Sequence, residues 1–476
     1  MPRQLAVEPS LSVSQVFTDN YALSSDSPRS DAITRVSAGI GLRSNAGVVR
    51  GIVDYGLTGL LYARHSDKNA MQNALRANVV ADLLEDRLQM VASASIARSA
   101  ISAFGVQPGS GTDANANTTE VRTLQLTPTL RGVLGPAVRY TATLGYGLSN
   151  AASGSAGDSS NTSATLRLEP ASSARLRWNL DATFQETDFK QGRSTRSDRV
   201  SGGLLLDVNE LDLQLSSTVG RERTDLASID SRIYTTWGVG AVWAPSPITR
   251  VSAEMENRFF GRSYAVTVEH RTPRTVFSYR NGRSLSTGGS QGAGLRATVF
   301  DLFFAQLASE QPDPALRADL VNRRLRDQGI DPGQQVNPGF LQSAATVQDQ
   351  HLLSAAWTGP RNTAVVSWTS TASRRADGST SALDDLSGNA EVRQHGLSLA
   401  MSHRLTPQSS LVAQLSSQRA SGSQQQSTRQ RQAEVQYSSR LTVDSTVALS
   451  LRRALFTGSP QSYDENAITA TYGQRF

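Results

Sequence analysis

The chain has 476 residues, 38% of them hydrophobic, and no stretch approaches the ~18 to 20 consecutive apolar residues of a membrane-spanning helix, so a helical membrane protein is excluded. Its formal charge of +6 comes from 47 Lys and Arg against 41 Asp and Glu, and only Lys68 and Lys190 among the bases are lysine. The arginines are spread among acids without the basic face of a nucleic-acid binder, and the absence of cysteine excludes disulfides and thiolate metal centres.

Met1 to Val7 lack the apolar core of an export signal, so an envelope location is expected to involve a signal removed from, or lying ahead of, this start. From Val7 onward the chain reads as strands of period two. Leu11, Val13 and Phe17 alternate with Ser10, Ser12 and Ser14, and after a polar stretch Val36, Ala38, Ile40 and Leu42 share a face. Val49, Val53, Tyr55, Leu57 and Leu61 oppose Arg50, Asp54 and Thr58. The clearest alternation runs from Ala174 to Gln185: Leu176, Trp178, Leu180, Ala182 and Phe184 point one way, and Arg175, Arg177, Asn179, Asp181, Thr183 and Gln185 the other. A helix would scatter these side chains around its circumference. Leu211, Leu213, Leu215 and Val219 then oppose Asp212, Gln214 and Thr218, and Val251, Ala253, Met255 and Phe259 oppose Arg250, Glu254, Glu256 and Arg258.

The connections alternate long and short. Thr18 to Ser30 precedes Ser44-Asn45-Ala46, Ser99 to Thr118 precedes Gly132 to Pro136, Asn150 to Thr162 precedes Glu169 to Ser173, and Glu186 to Arg196 precedes Asn209-Glu210. Glu222 to Asp230 precedes Pro245-Ser246-Pro247, and Ser373 to Gly388 precedes Leu405-Thr406-Pro407. That parity fits a transmembrane antiparallel up-and-down β-barrel, all-β and one domain over residues 1–476, with about 22 strands and both ends on the short-turn side; about 20 or 24 strands also fit. The tight turn at Phe260-Gly261-Arg262 falls where a long loop is due, and the strands near Thr272 to Arg283 are blurred.

The period changes between residues 297 and 346. Phe300, Phe303, Phe304 and Leu307 recur at helical spacing, and a second helix opens at Asp313-Pro314, an N-cap followed by proline at the first helical position. It carries Leu316, Leu320, Val321 and Leu325 on one stripe, with Arg317, Arg323, Arg324 and Arg326 mostly elsewhere, and stops at Gly329. By parity this insert belongs to the long-loop side, and its phenylalanines need cover from water. Two roles fit it: a plug or gate in the lumen, or a helical cap on the outer rim.

The last strand places Ile468, Ala470, Tyr472 and Phe476 on one face and Thr469, Thr471, Gly473 and Arg475 on the other. It resembles the terminal strand of bacterial outer-membrane proteins, whose final aromatic serves as an insertion signal, and this implies handling by the barrel-assembly machinery. A closed barrel requires it to pair with Val7 to Phe17.

The inward candidates are Arg50, Asp54, Arg139, Arg175, Arg177, Asp181, Gln185, Asp212, Gln214, Glu254, Glu256 and Arg258. They either satisfy one another in a wet lumen or form a polar path for a hydrophilic polymer. The five histidines, His65, His270, His351, His395 and His403, show no metal-site spacing, and the last two lie about 26 Å apart at opposite ends of one strand. No catalytic, cofactor or metal residue is assigned, and no cofactor is expected.

Three stretches carry a family likeness: Val13-Ser14-Gln15-Val16-Phe17-Thr18-Asp19-Asn20; Val53-Asp54-Tyr55 with Tyr62-Ala63-Arg64-His65-Ser66; and Phe300-Asp301-Leu302-Phe303-Phe304-Ala305-Gln306 with Asp313-Pro314. They resemble the PEP-CTERM-system-associated outer-membrane proteins of Gram-negative bacteria with exosortase sorting. The resemblance implies an outer-membrane barrel in an exopolysaccharide context, with membrane lipid, exopolysaccharide and periplasmic export components as partners and no assigned reaction. The expected function is a porin-like conduit in exopolysaccharide secretion or assembly. The alternatives are a structural or adhesive surface barrel and a barrel enzyme acting on lipid or polysaccharide.

Overall fold

Inter-strand hydrogen bonds settle the strand number and the closure together. A computed structural model describes residues 5–44, 47–84, 87–107, 115–152, 157–172, 174–190, 192–228, 230–287, 300, 303, 304, 307, 311, 314–327, 339–376, 384–459 and 461–476. Its first strands are β1 (Leu5–Thr18), β2 (Asp31–Ser44), β3 (Val49–Tyr62), β4 (Ala70–Leu84), β5 (Leu88–Ala100), β6 (Thr118–Leu134), β7 (Val138–Ala151) and β8 (Ser159–Pro170). There follow β9 (Leu176–Phe189), β10 (Thr195–Val208), β11 (Leu213–Thr224), β12 (Arg232–Ser246), β13 (Thr249–Arg258), β14 (Gly261–Arg271) and β15 (Thr275–Ser286). The chain ends with β16 (Thr346–Thr358), β17 (Asn362–Arg375), β18 (Val392–Arg404), β19 (Ser409–Gly422), β20 (Ser427–Arg440), β21 (Ser445–Thr457) and β22 (Ser462–Arg475).

All 22 strands form one sheet of antiparallel neighbours, and β22 pairs with β1 from Ser10↔Arg475 to Thr18↔Ala467. The Phe476 N–H adds a bond to the Pro9 carbonyl at 3.0 Å. The terminal strand thus closes the barrel on the strand expected, and closure leaves no open sheet edge. Side-chain alternation holds around the ring: Leu11, Val13, Phe17, Trp178, Leu180 and Ile468 are exposed on the outer wall, while Val16, Thr18, Glu465 and Ala467 of the seam face inward and are buried. A largely apolar exterior on a closed barrel is a surface suited to lipid.

The long and short connections segregate to opposite ends, with one exception. Arg258 pairs directly with Gly261 in the β13–β14 hairpin, where Gly261 takes φ +96, a conformation that favours glycine. The tight turn is therefore real and interrupts the parity only locally. The blurred region resolves into β15, in register with β14 and β16.

Strands run further toward the long-loop end than apolar alternation alone shows. The expected loop Glu186 to Arg196 is mostly ladder, since β9 continues to Phe189 and β10 starts at Thr195, and β7 and β8 shorten the loop expected at Asn150 to Thr162 in the same way. Backbone pairing does not need an apolar face, so these polar extensions lack the side-chain signature of a strand. Two of the inward candidates are corrected. Asp212 lies in the β10–β11 turn with φ +48, exposed, and Arg175 lies in the short turn before β9, where it pairs with Glu210 at 3.2 Å. Both stand at the rim because the strands begin two residues later than the alternation implies.

Candidate functional site

The insert enters the barrel. Its second segment forms a helix, α1 (Pro314–Asp327), lying against β3 and β4. Ala318, Val321 and Leu325 are fully buried, with Asn322 beside them; Val321 and Leu325 of the expected stripe thus seat, Ala318 joins them, and Leu320 packs at the margin while Leu316 lies outside the cluster. Phe300, Phe303 and Leu307 join the same buried cluster, and Phe304 packs against it. Asp313, Gly329 and the side chains of Arg323, Arg324 and Arg326 lie outside the described residues.

The barrel side of this cluster consists of Ile52, Ala356, Val365 and Val412. Each stands near the short-turn end of its strand: Ile52 near the start of β3, Ala356 near the end of β16, Val365 and Val412 near the starts of β17 and β19. The insert leaves β15 and joins β16 at the opposite, long-loop end. The described insert residues that join this cluster therefore lie inside the lumen, far from the end at which the insert enters. Full burial of one leucine- or phenylalanine-sized side chain contributes about 1.5–3 kcal/mol, so this apolar contact is a substantial anchor. Arginines cover what the cluster leaves open: the Arg76 guanidinium lies 4.3 Å from the Phe300 ring centroid and that of Arg317 lies 4.6 Å from Phe304. Such contacts add roughly 0.5–2 kcal/mol each.

A second layer covers the long-loop end. The β5–β6 connection folds inward and forms a parallel bridge, Ala100↔Phe340, with the returning insert. Ala103 and Phe104 pack with Phe340, Leu386, Val392 and Ala420, Ile101 packs on Leu341, Val121 and Ala151, and Val106 meets Leu23, Ala454, Phe456 and Tyr463. The polar seam of this layer is a pair of adjacent aspartates. Asp385 opens the one-turn helix α2 (Asp385–Gly388) and accepts from the Ser102 hydroxyl at 2.7 Å and the Ala103 N–H at 2.6 Å. Asp384 accepts from the Ser343 N–H at 2.8 Å, the Ser343 hydroxyl at 2.9 Å and Arg375 at 3.0 Å. Burial pushes the Asp385 carboxyl above its ordinary range, against the pull of the Ser102 and Ala103 hydrogen bonds, and the neighbouring Asp384 adds to the rise. Sequence reading missed this layer; its one signal is the run of isolated apolar residues Ile101, Phe104 and Val106 inside a polar loop.

The inward wall is made of matched charges. Arg50 pairs with Asp82 at 2.7 Å, Asp54 with Arg43 at 3.4 Å, Arg177 with Asp207 at 2.7 Å and Arg258 with the buried Glu222 at 2.6 Å. Arg43 also meets Glu8, and Arg199 reaches Glu256 across two intervening strands that present Gly220 and Gly238 inward. Gln214 donates to Asp207 at 2.7 Å, Asp181 accepts from Asn179, and Gln185 donates to the Thr287 hydroxyl at 2.7 Å. Glu254 faces inward opposite Gly240, and Arg139 stands at the short-turn rim, 3.6 Å from Glu169. Ten of the twelve inward candidates thus lie on the wall or its rim, spread around the ring and not gathered at one catalytic point.

The histidines are dispersed. His65 meets Asp31 at 2.7 Å, His270 meets Thr249 at 2.8 Å, His351 meets Tyr279 at 3.3 Å and His403 meets Asn362 at 2.5 Å, while His395 is exposed on the outer wall. Among the described residues no three His, Asp or Glu side chains are grouped to hold a metal ion.

The same closed-barrel architecture occurs among solved structures. The FrpB iron transporter from Neisseria meningitidis (F5-1 variant) matches with a TM-score of 0.51 at 10% identity, covering 100% of this chain and 83% of that one. A chain of the FpvAI–pyocin S2 complex matches with a TM-score of 0.50 at 9% identity, covering 100% of this chain and 71% of that one. At such identities the likeness defines the fold. No family model matches the sequence, and no curated protein does.

Proposed function

We propose that this protein is a gated conduit of the Gram-negative outer membrane in exopolysaccharide secretion or assembly, with residues 297–346 as its plug. The observation that carries the reading is the seat of the insert on Ile52, Ala356, Val365 and Val412, a full strand length from where the insert enters. The lumen so occupied favours a gated path over an open porin-like one. The wall behind the plug presents paired charges and amides, groups that exchange hydrogen bonds with a sugar polymer without holding it. The likeness of residues 13–20, 53–55, 62–66, 300–306 and 313–314 to exosortase-associated barrels supports the polysaccharide context, and the similarity to the FrpB iron transporter supports passage across such a barrel.

The test is conductance in planar bilayers. The full chain is expected to be closed, deletion of residues 297–346 to open it, and the host exopolysaccharide to block the opened barrel. Unchanged conductance on deletion sinks the gate. Conductance that the polymer leaves untouched sinks the polysaccharide assignment. Closure at both ends also suits a structural surface barrel, which normal secretion in a strain lacking the protein would favour.

A further inference from the structure

The outer wall of β18 to β21 carries a groove separate from the lumen. Three rows of outward side chains cross these strands in register. Nearest the long-loop end are His395, Arg419, Arg429 and Thr457; next come Leu397, Ser417, Arg431 and Leu455; then Leu399, Leu415, Ala433 and Arg453. The lower two rows frame a groove of about 370 Å³. Leucines form its sides, and small Ser417 and Ala433 leave it hollow. Below it the wall continues apolar through Met401, Ala413, Val435 and Leu451.

The charges above the groove are unlike those of the lumen. Arg419 and Arg429 stand directly opposite each other on neighbouring strands, an arrangement in which like charges repel. Arg431 lies one row below. All three are exposed, and none has a hydrogen bond or ion pair among the described residues. Nearby outward arginines are neutralised, Arg453 by Asp464 at 2.9 Å and Arg393 by Glu391. An opposed pair of arginines without an acid is resolved by an anion that bridges them. Guanidinium groups take phosphate with two parallel hydrogen bonds.

A phosphate seat directly above an acyl-sized apolar groove, at the long-loop end of a lipid-facing wall, matches one kind of molecule. We propose that this face binds a phosphorylated, multiply acylated lipid of the lipid A class, with its phosphate on Arg419, Arg429 and Arg431 and an acyl chain between Leu397, Leu415 and Leu455. The site is independent of whether the lumen conducts.

Native mass spectrometry of the detergent-solubilised full chain, titrated with purified bisphosphorylated lipid A, tests it. The wild-type chain is expected to retain the lipid, and the Arg419→Gln/Arg429→Gln/Arg431→Gln variant to bind it about tenfold more weakly or worse. Ala433→Leu keeps every arginine and fills the groove, and it is also expected to weaken binding. Heat-modifiable gel mobility identifies folded protein in each case. Lipid A stripped of its phosphates should bind as poorly as the triple variant does. Wild-type affinity in both variants, or equal binding of phosphate-free lipid A or of phosphatidylglycerol, would overturn the proposal.

Discussion

Leu325→Ala is the sharpest probe of how the insert is held. Leu325 is 0% exposed, as are its stripe neighbours Ala318 and Val321, and its cluster partners come from the barrel wall as well as from the insert. Truncating a buried leucine to alanine costs roughly 2–5 kcal/mol, a transfer term plus a cavity term. The lower end applies here, because one side of the contact is a single helix outside the barrel ladder, which can settle into the gap. A loss of about 2 kcal/mol shifts the balance between seated and released insert by roughly 30-fold. The barrel ladders do not involve Leu325, so gel mobility of the folded barrel should stay unchanged. Hydrogen exchange of the α1 amides should accelerate by that factor, and bilayer recordings should show openings that the wild-type chain lacks. If exchange over residues 314–327 changes by less than about twofold in a folded barrel, the apolar stripe is not what seats the helix.

Three further outcomes follow from other parts of the molecule. Glu465 and Arg452 form a buried pair at 2.8 Å beside the seam, and Thr18 of β1 donates to the same carboxylate at 2.9 Å. Glu465→Ala should lower barrel stability by about 3–5 kcal/mol and Glu465→Gln by less, read from urea midpoints; equal midpoints would refute the pair's role in closure. Asp385 gives the mouth a pH dependence of defined sign. Its carboxyl is raised on folding, so its contribution is complete below the unfolded value of about 3.9 and is lost as pH rises through the folded value. Protection of the Ala103 amide, corrected for intrinsic exchange, should therefore be greater in acid than at neutrality, and Asp385→Asn should flatten the profile. Arg76→Gln removes the cation over Phe300 and should loosen the insert by roughly 0.5–2 kcal/mol, detectable as faster exchange in α1 without loss of the barrel.

Most of the barrel was legible in the sequence because a lipid-facing wall forces a two-residue period that nothing else in the chain imitates. Leu176 to Phe184 and Ile468 to Tyr472 show it plainly, and the pairing of the last strand with the first follows from closure. The sequence was less informative where side chains stop signalling. The polar ends of β9 and β10 extend the ladder with no apolar face, and Asp212 and Arg175 keep inward parity while sitting in turns. The insert's second helix was visible from its spacing, and Val321 and Leu325 of its stripe seat as expected, but Ala318 was not singled out, since alanine contributes to a close contact by being small and does not stand out among leucines. The mouth was invisible for a different reason. Phe104, Phe340 and Leu386 come from three separate loops, and a cluster assembled across such distances in the chain has no period to read.

The insert and the mouth share one length of chain. Phe340, Leu341 and Ser343, which bind the β5–β6 loop and Asp384, are the trailing end of the segment whose middle is α1. From Leu325 to Phe340 the backbone can stretch at most about 50 Å, little more than the roughly 45 Å of a fourteen-residue strand. A displacement of α1 toward the short-turn side beyond that reach would draw on Phe340 and strip it from Ala103. The same reach bounds how far α1 can travel toward the short-turn side while the mouth contacts of Phe340 hold.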